Sequence, residues 1–142
     1  MSHITTIKIA IKSLPALKAA CARLGFEFRE NQKTFAWFGR WVGDSKLPEG
    51  VKVEDMGKAQ HVIHVPGASY EVGVVQQDDH YQLLWDSWSS GGLEQKLGKD
   101  AGRLVQGYTV EAARLEAQRQ GYSVWEEAVQ DGSVRLHVQV GG

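Results

Sequence analysis

The sequence predicts an α+β domain in which helices cover a mainly antiparallel sheet, and three stretches carry that expectation. Residues 70–88 (YEVGVVQQDDHYQLLWDSW) hold two alternating apolar runs on either side of a polar turn, the pattern of a hairpin at the centre of a sheet. Residues 3–29 read as strand, helix and strand in succession. After Gly91-Gly92 the apolar period changes from 2 to 3.6, and a second hairpin follows around Asp131-Gly132. With 142 residues the chain suits a single domain, residues 1–142, that buries about 68% of its unfolded surface.

The elements follow in order. From His3 to Lys12 the residues alternate, Ile7, Ile9 and Ile11 on one face and Lys8 and Lys12 on the other, as in a half-buried strand. Ser13 then offers an oxygen to cap a helix. Pro15 is tolerated in its first turn, Leu14, Leu17, Cys21 and Leu24 share one stripe, and Gly25 terminates it. Phe26 and Phe28 alternate with Glu27 and Arg29 in a second strand reaching about Asn31. Between Gln32 and Ala59 periodicity fails. A short strand is expected over residues 35–42, then an ordered glycine-containing loop, and loops that long in compact domains commonly carry function. Residues 60–65, residues 70–75 and the run Tyr81, Leu83, Trp85 form three successive strands, a meander with turns at residues 66–69 and 76–79.

The helical stripe that follows comprises Leu93, Leu97, Ala101, Leu104 and Tyr108, then Ala112 and Leu115. Gly107, ahead of a capping residue at Thr109, divides residues 93–120 into two helices, while Gly98 and Gly102 are expected to let a helix approach its neighbour closely. Gly121 ends the helical segment. Residues 122–129 and a last strand with Val134, Leu136, Val138 and Val140 facing inward complete the fold. The junction of helix, Gly25 and aromatic strand returns as helix, Gly121 and Tyr122, consistent with either a helix-strand repeat or two independent junctions.

Composition removes several classes of function. A net charge of −1 supplies no positive field for a phosphate backbone, so dedicated nucleic-acid binding is disfavoured. Polar residues interrupt each apolar run well before a membrane span, and the start of the chain has no basic region leading into a long apolar one. The one cysteine, Cys21, lies on the apolar helix stripe. A reducing, cytoplasmic setting is expected.

Catalytic and ligand motifs are equally sparse. Gly92 to Lys99 (GLEQKLGK) follows a strand and opens a helix, but five residues separate Gly92 from Gly98, and Asp100 stands where a phosphate loop needs a hydroxyl. His61 and His64 are three apart on a strand and point to opposite faces, so they cannot share an ion. His80 is expected in a solvated turn beside Asp79. Cys21 has no nearby base to lower its pKa. Asp86, flanked by Trp85 and Trp88, could act as a general acid within aromatic walls, although an Asp at a strand end more often caps the following turn. No catalytic residue, metal site or cofactor is expected.

Five tryptophans are unusual in so short a chain. Trp37, Phe38, Arg40 and Trp41 interleave aromatic rings with a cation, which suits recognition, and Asp44, Glu49, Glu54 and Asp55 balance the nearby bases, which favours a protein surface over a phosphate groove. The binding residues expected are therefore Trp37, Phe38, Arg40, Trp41, Asp86 and Trp88, with Trp88 folding against the aromatic loop. Two functions follow. The first is a non-enzymatic binding or accessory protein that meets a protein partner through this loop. The second is a nucleotide-type small-ligand pocket where residues 85–92 meet it, with Arg40 and Asp86 inside.

The ends of the chain carry a resemblance. MSHITTIKIAIK, the Leu-rich helix ending at Gly25-Phe26, the closing helix with Gly121-Tyr122 and the run Asp131-Gly132-Ser133-Val134-Arg135-Leu136 are similar to the DUF1257 family, which has plastid-encoded, bacterial and phage members. The middle, with WFGRWVGD and Leu47-Pro48-Glu49-Gly50, is similar to the bacterial and phage branch. The resemblance implies one compact α+β domain and no catalytic residue, cofactor or substrate, because the family is itself uncharacterised.

Overall fold

A computed structural model describes residues 4–6, 10–37, 56–87, 91–131 and 133–140. The elements run β1 (Ile4–Thr6), α1 (Leu14–Leu24), β2 (Glu27–Arg29), β3 (His61–His64), β4 (Val72–Gln77), β5 (His80–Asp86), α2 (Leu93–Leu97), α3 (Gly102–Arg119), β6 (Ser123–Ala128) and β7 (Val134–Gln139). The first five strands form one antiparallel sheet in the order β1-β5-β4-β3-β2, and β6 pairs with β7 apart from it. The α+β architecture, the central meander and the C-terminal hairpin are as the sequence predicts.

Strand periodicity sorts the core into two layers. Ile63, Val65, Val72, Val74, Leu83 and Trp85 point to one face, where Leu17, Ala20 and Cys21 of α1 and Leu104 and Tyr108 of α3 close over them in the main core. The alternate positions Val62 and Leu84 point to the other face and pack with Phe35 and Ala59. The helices therefore cover one side of the sheet, and a non-helical segment covers the other.

Local chemistry fixes α1. The Ser13 hydroxyl accepts from the Ala16 N–H at 3.1 Å, and Gly25, at φ 77°, ends the helix in the left-handed conformation. The Gly25 N–H donates to the Ala22 carbonyl and the Phe26 N–H to that of Cys21, while Gly121 and Tyr122 repeat these bonds to Gln118 and Ala117. That shared termination explains the likeness of the two junctions. They are not repeats of one unit: β2 joins the edge of the large sheet, and β6 belongs to the separate hairpin.

Three expectations need correction. The helical break falls not at Gly107 but at residues 98–101, where Gly98, Asp100 and Ala101 all take positive φ. Thr109 caps nothing; its hydroxyl donates to the Val105 carbonyl one turn back, inside a continuous α3. The close-approach glycine is Gly107, where an added Cβ would lie 3.4 Å from that of Ala20, whereas one at Gly102 would meet nothing within 4 Å. Residues 35–37 are not strand; only Thr34 makes an isolated bridge, to Lys58, and residues 38–42 of that expected strand lie outside the described residues.

The first strand and the last also differ in detail. Thr6 faces Leu84 while Ile11 faces Tyr81, so five steps along the first segment match three along β5 and the alternation is not one continuous ladder. Ile7 and Ile9 lie outside the described residues. On β7 the expected inward row is only half covered: Val134 and Leu136 are half-buried, and Val138 and Val140 are exposed. The hairpin leans on α3 with no second layer among the described residues to close over it.

Candidate functional site

The face of the sheet away from the helices gathers the sequence-predicted aromatic segment and an unpredicted cluster of charge. Gly73 makes the seating possible. With no side chain on β4 at that point the Phe35 ring lies directly over the strand; a Cβ there would come within 2.4 Å of it. Trp37, half-buried, packs beside it against the second core, next to Gly57, which is held at φ 80°.

Glu71 ties this segment to the sheet. Its backbone N–H donates to the Ala36 carbonyl at 2.8 Å, and its carboxylate accepts from the Ala36 N–H at 3.0 Å. The second carboxylate oxygen lies 3.2 Å from His64 Nδ1 and 3.4 Å from Arg29 Nη1. At 13% side-chain exposure the carboxylate is largely withdrawn from water, which strengthens each of these contacts. Glu27, opposite His64 in the register, pairs with Arg29 at 3.1 Å. The Arg29 hydrogen bond holds the Glu27 carboxyl below its ordinary range, and the same bond raises Arg29. His64 faces this side of the sheet, and His61 the other, as their spacing requires.

His61 packs between Phe28 and Tyr81, with ring centroids 5.5 and 6.1 Å away, and its Nδ1 accepts the Asn31 N–H at 3.0 Å. Burial lowers its pKa, so the neutral ring is a packed core member. Cys21 is buried, and desolvation pushes its thiol up to about 12, leaving it without nucleophilic character. His80 Nδ1 lies 3.1 Å from Asp79 at the surface turn. No group of three or more His, Cys, Asp or Glu among the described residues is placed to hold a metal ion.

Of the six expected binding residues, Trp37 and Asp86 are described. Strand alternation places Asp86, fully buried, on the same side of the sheet as Leu84 and hence as Trp37. Trp85 faces the helices instead, so the two tryptophans stand on opposite faces. Phe38, Arg40, Trp41 and Trp88 lie outside the described residues. On the helix side Trp85, Ser87, Glu94, Gly98, Asp100 and Ala101 line a cavity of ≈ 80 Å³. That is well below the roughly 300 Å³ at which small-molecule sites begin, and its two carboxylates repel phosphate. A second cavity at the same corner, ≈ 430 Å³ and lined by Gly92, Glu94, Gln95 and Lys99, reaches that size, with the Glu94 carboxylate bordering both.

Sequence reasoning missed Glu71, His64 and Arg29 as a unit. They stand on three strands, and only the β2-β3-β4 pairing brings them together. The residue pattern that placed Glu27 and Arg29 on one face of a strand was the available signal.

No curated protein and no solved structure is similar to the chain. The family described as "Protein of unknown function (DUF1257)" matches residues 40–137, more than half of the chain, a span that takes in the meander, α2, α3 and most of the C-terminal hairpin. On that match the chain is a member of the DUF1257 family.

Proposed function

We propose that this protein is a non-enzymatic binding or accessory protein, and that it meets a protein partner on the outer face of the sheet through the segment that begins at Trp37. The observation that carries this reading is the double tether of Ala36 to Glu71, with Phe35 seated over Gly73. Together they fix the root of the run containing Phe38, Arg40 and Trp41, and a fixed root lowers the ordering cost of presenting aromatic side chains to a partner. The polar contacts around it, Glu71 with Arg29 and His64, suit a polar rim rather than a phosphate groove. A cytoplasmic setting belongs to the same reading, supported by the single, buried Cys21. No helix among the described residues is long and apolar enough to cross a membrane.

The test uses two variants in capture from extract of the native host, followed by mass spectrometry. Trp41→Ala is expected to leave the melting temperature unchanged and abolish recovery of the partner. Glu71→Ala, which leaves the Ala36 N–H without its acceptor and Arg29 with Glu27 alone, is expected to cost roughly 0.5–1.5 kcal/mol of stability and weaken the same capture. Undiminished capture by Trp41→Ala sinks the proposal. A nucleotide-type ligand at the corner of residues 85–92 is the weaker reading because the Glu94 carboxylate borders both of its cavities and Asp86 stands on the other face of the sheet; a thermal-shift screen in which nucleotides stabilise the protein, and Lys99→Ala abolishes the effect, would reverse that order.

A further inference from the structure

The large hydrophobic side chains exposed among the described residues, Trp125, Val138 and Val140, all fall on the C-terminal hairpin, at 50%, 44% and 67% exposure. They lie toward its open end, the two valines on one face and Trp125 on the other. Val138 pairs with Val124, and Trp125 pairs with His137, on which its ring stacks at 5.2 Å with only 8° between the planes. The hairpin is a two-stranded sheet, so β7 has β6 on one side and no strand among the described residues on the other. A two-stranded ribbon is marginal by itself, and its open edge presents backbone groups ready to pair.

We propose that β7 is a self-association edge: two copies pair β7 antiparallel about a two-fold axis at His137, joining two hairpins into one four-stranded sheet. The occupant follows from the strand's own chemistry. In an antiparallel pair centred on His137, Leu136 faces Val138 of the second copy, Val134 faces Val140, and Arg135 faces Gln139. The half-covered row of Val134, Leu136, Val138 and Val140 then continues across the junction, which gives the two exposed valines apolar cross-strand neighbours. Charge permits this pairing. Arg135, the only Lys, Arg, Asp or Glu on β7, is already paired with Glu127 at 3.2 Å in its own chain. The strand contains neither proline nor lysine, two residues that commonly blunt an edge.

The proposal is independent of the partner surface at Trp37, and its test separates the two. Sedimentation velocity of the full chain over the micromolar range is expected to show a dimer that Val138→Lys converts to monomer with an unchanged circular dichroism spectrum. His137→Cys supplies a second measurement that needs no disruption. Position 137 lies opposite itself on the axis, so mild oxidation gives a covalent dimer, whereas Gln139→Cys alone does not cross-link and Arg135→Cys combined with Gln139→Cys does. Cys21 gives no background, being buried. A monomer at every concentration, including one whose edge is occupied by a different protein, overturns the proposal. So does a dimer that fails to cross-link through His137→Cys, or one that dissociates in Trp41→Ala but survives Val138→Lys.

Discussion

Tyr108 illustrates what one atom does between distant parts of the chain. Its ring belongs to the main core, and its hydroxyl accepts from the N–H groups of Lys12 and Ser13, at 3.0 and 3.2 Å, just where α1 begins. Helix starts leave N–H groups without partners, so a phenol from α3 here complements the Ser13 cap. Tyr108→Phe keeps the ring and removes the acceptor. The expected loss is roughly 1–3 kcal/mol in urea melts, because two half-buried donors lose their partner. A change below about 0.5 kcal/mol would mean that water replaces the hydroxyl at no cost. Tyr108 was legible in the sequence as a member of an apolar stripe. Its hydroxyl was not, since the groups that it serves are nearly a hundred residues away and only packing α3 on α1 brings them within reach.

At the scale of elements, periodicity located what depends on neighbours in sequence and failed where neighbours in space decide. The meander, α1 with its Ser13 and Gly25 ends, and the hairpin turn, where Asp131 accepts from the Ser133 N–H at 2.9 Å, all rest on local pattern and capping. The break before α3 rests on Asp100 and Ala101 at φ 54° and 58°, a conformation that non-glycine residues seldom adopt and that no local preference announces. The Glu71 cluster was invisible for the same reason: strand pairing, not sequence spacing, assembles it. The two glycines of α3 provide a direct check. Gly102→Ala adds a methyl into open space at helical φ and should stabilise by up to about 1 kcal/mol. Gly107→Leu drives a branched side chain into Ala20 and Leu24 and should destabilise by roughly 1–3 kcal/mol. Thermal melts giving both variants the same sign would contradict the assignment of the helix contact to Gly107.

For the whole molecule, the hairpin is joined to the helix layer chiefly through charge. Glu126 of β6 lies 2.6 Å from Arg23 of α1 and 3.0 Å from Arg114 of α3, and Glu111 of α3 meets the same two arginines at 2.9 and 3.7 Å. Three elements thus converge on four side chains, each between 13% and 30% exposed. The Arg23 guanidinium beside it, followed by that of Arg114, holds the Glu126 carboxyl below its ordinary value of 4.5. A carboxyl more acidic in the folded protein than in the unfolded chain contributes stability that is fully present above the unfolded value and is lost as pH falls through the folded one. Glu126→Gln is therefore expected to lower stability near neutral pH by about 0.5–1 kcal/mol, the range for a partly exposed pair. The gap from the parent protein should close as pH falls below the ordinary carboxyl range, because protonation then removes the same charge from Glu126. Urea melts across that range, read with hydrogen exchange of the β6 and β7 amides, measure both quantities: a gap that stays constant with pH would place the effect in packing and deny the ion cluster its role in holding the hairpin to the helices.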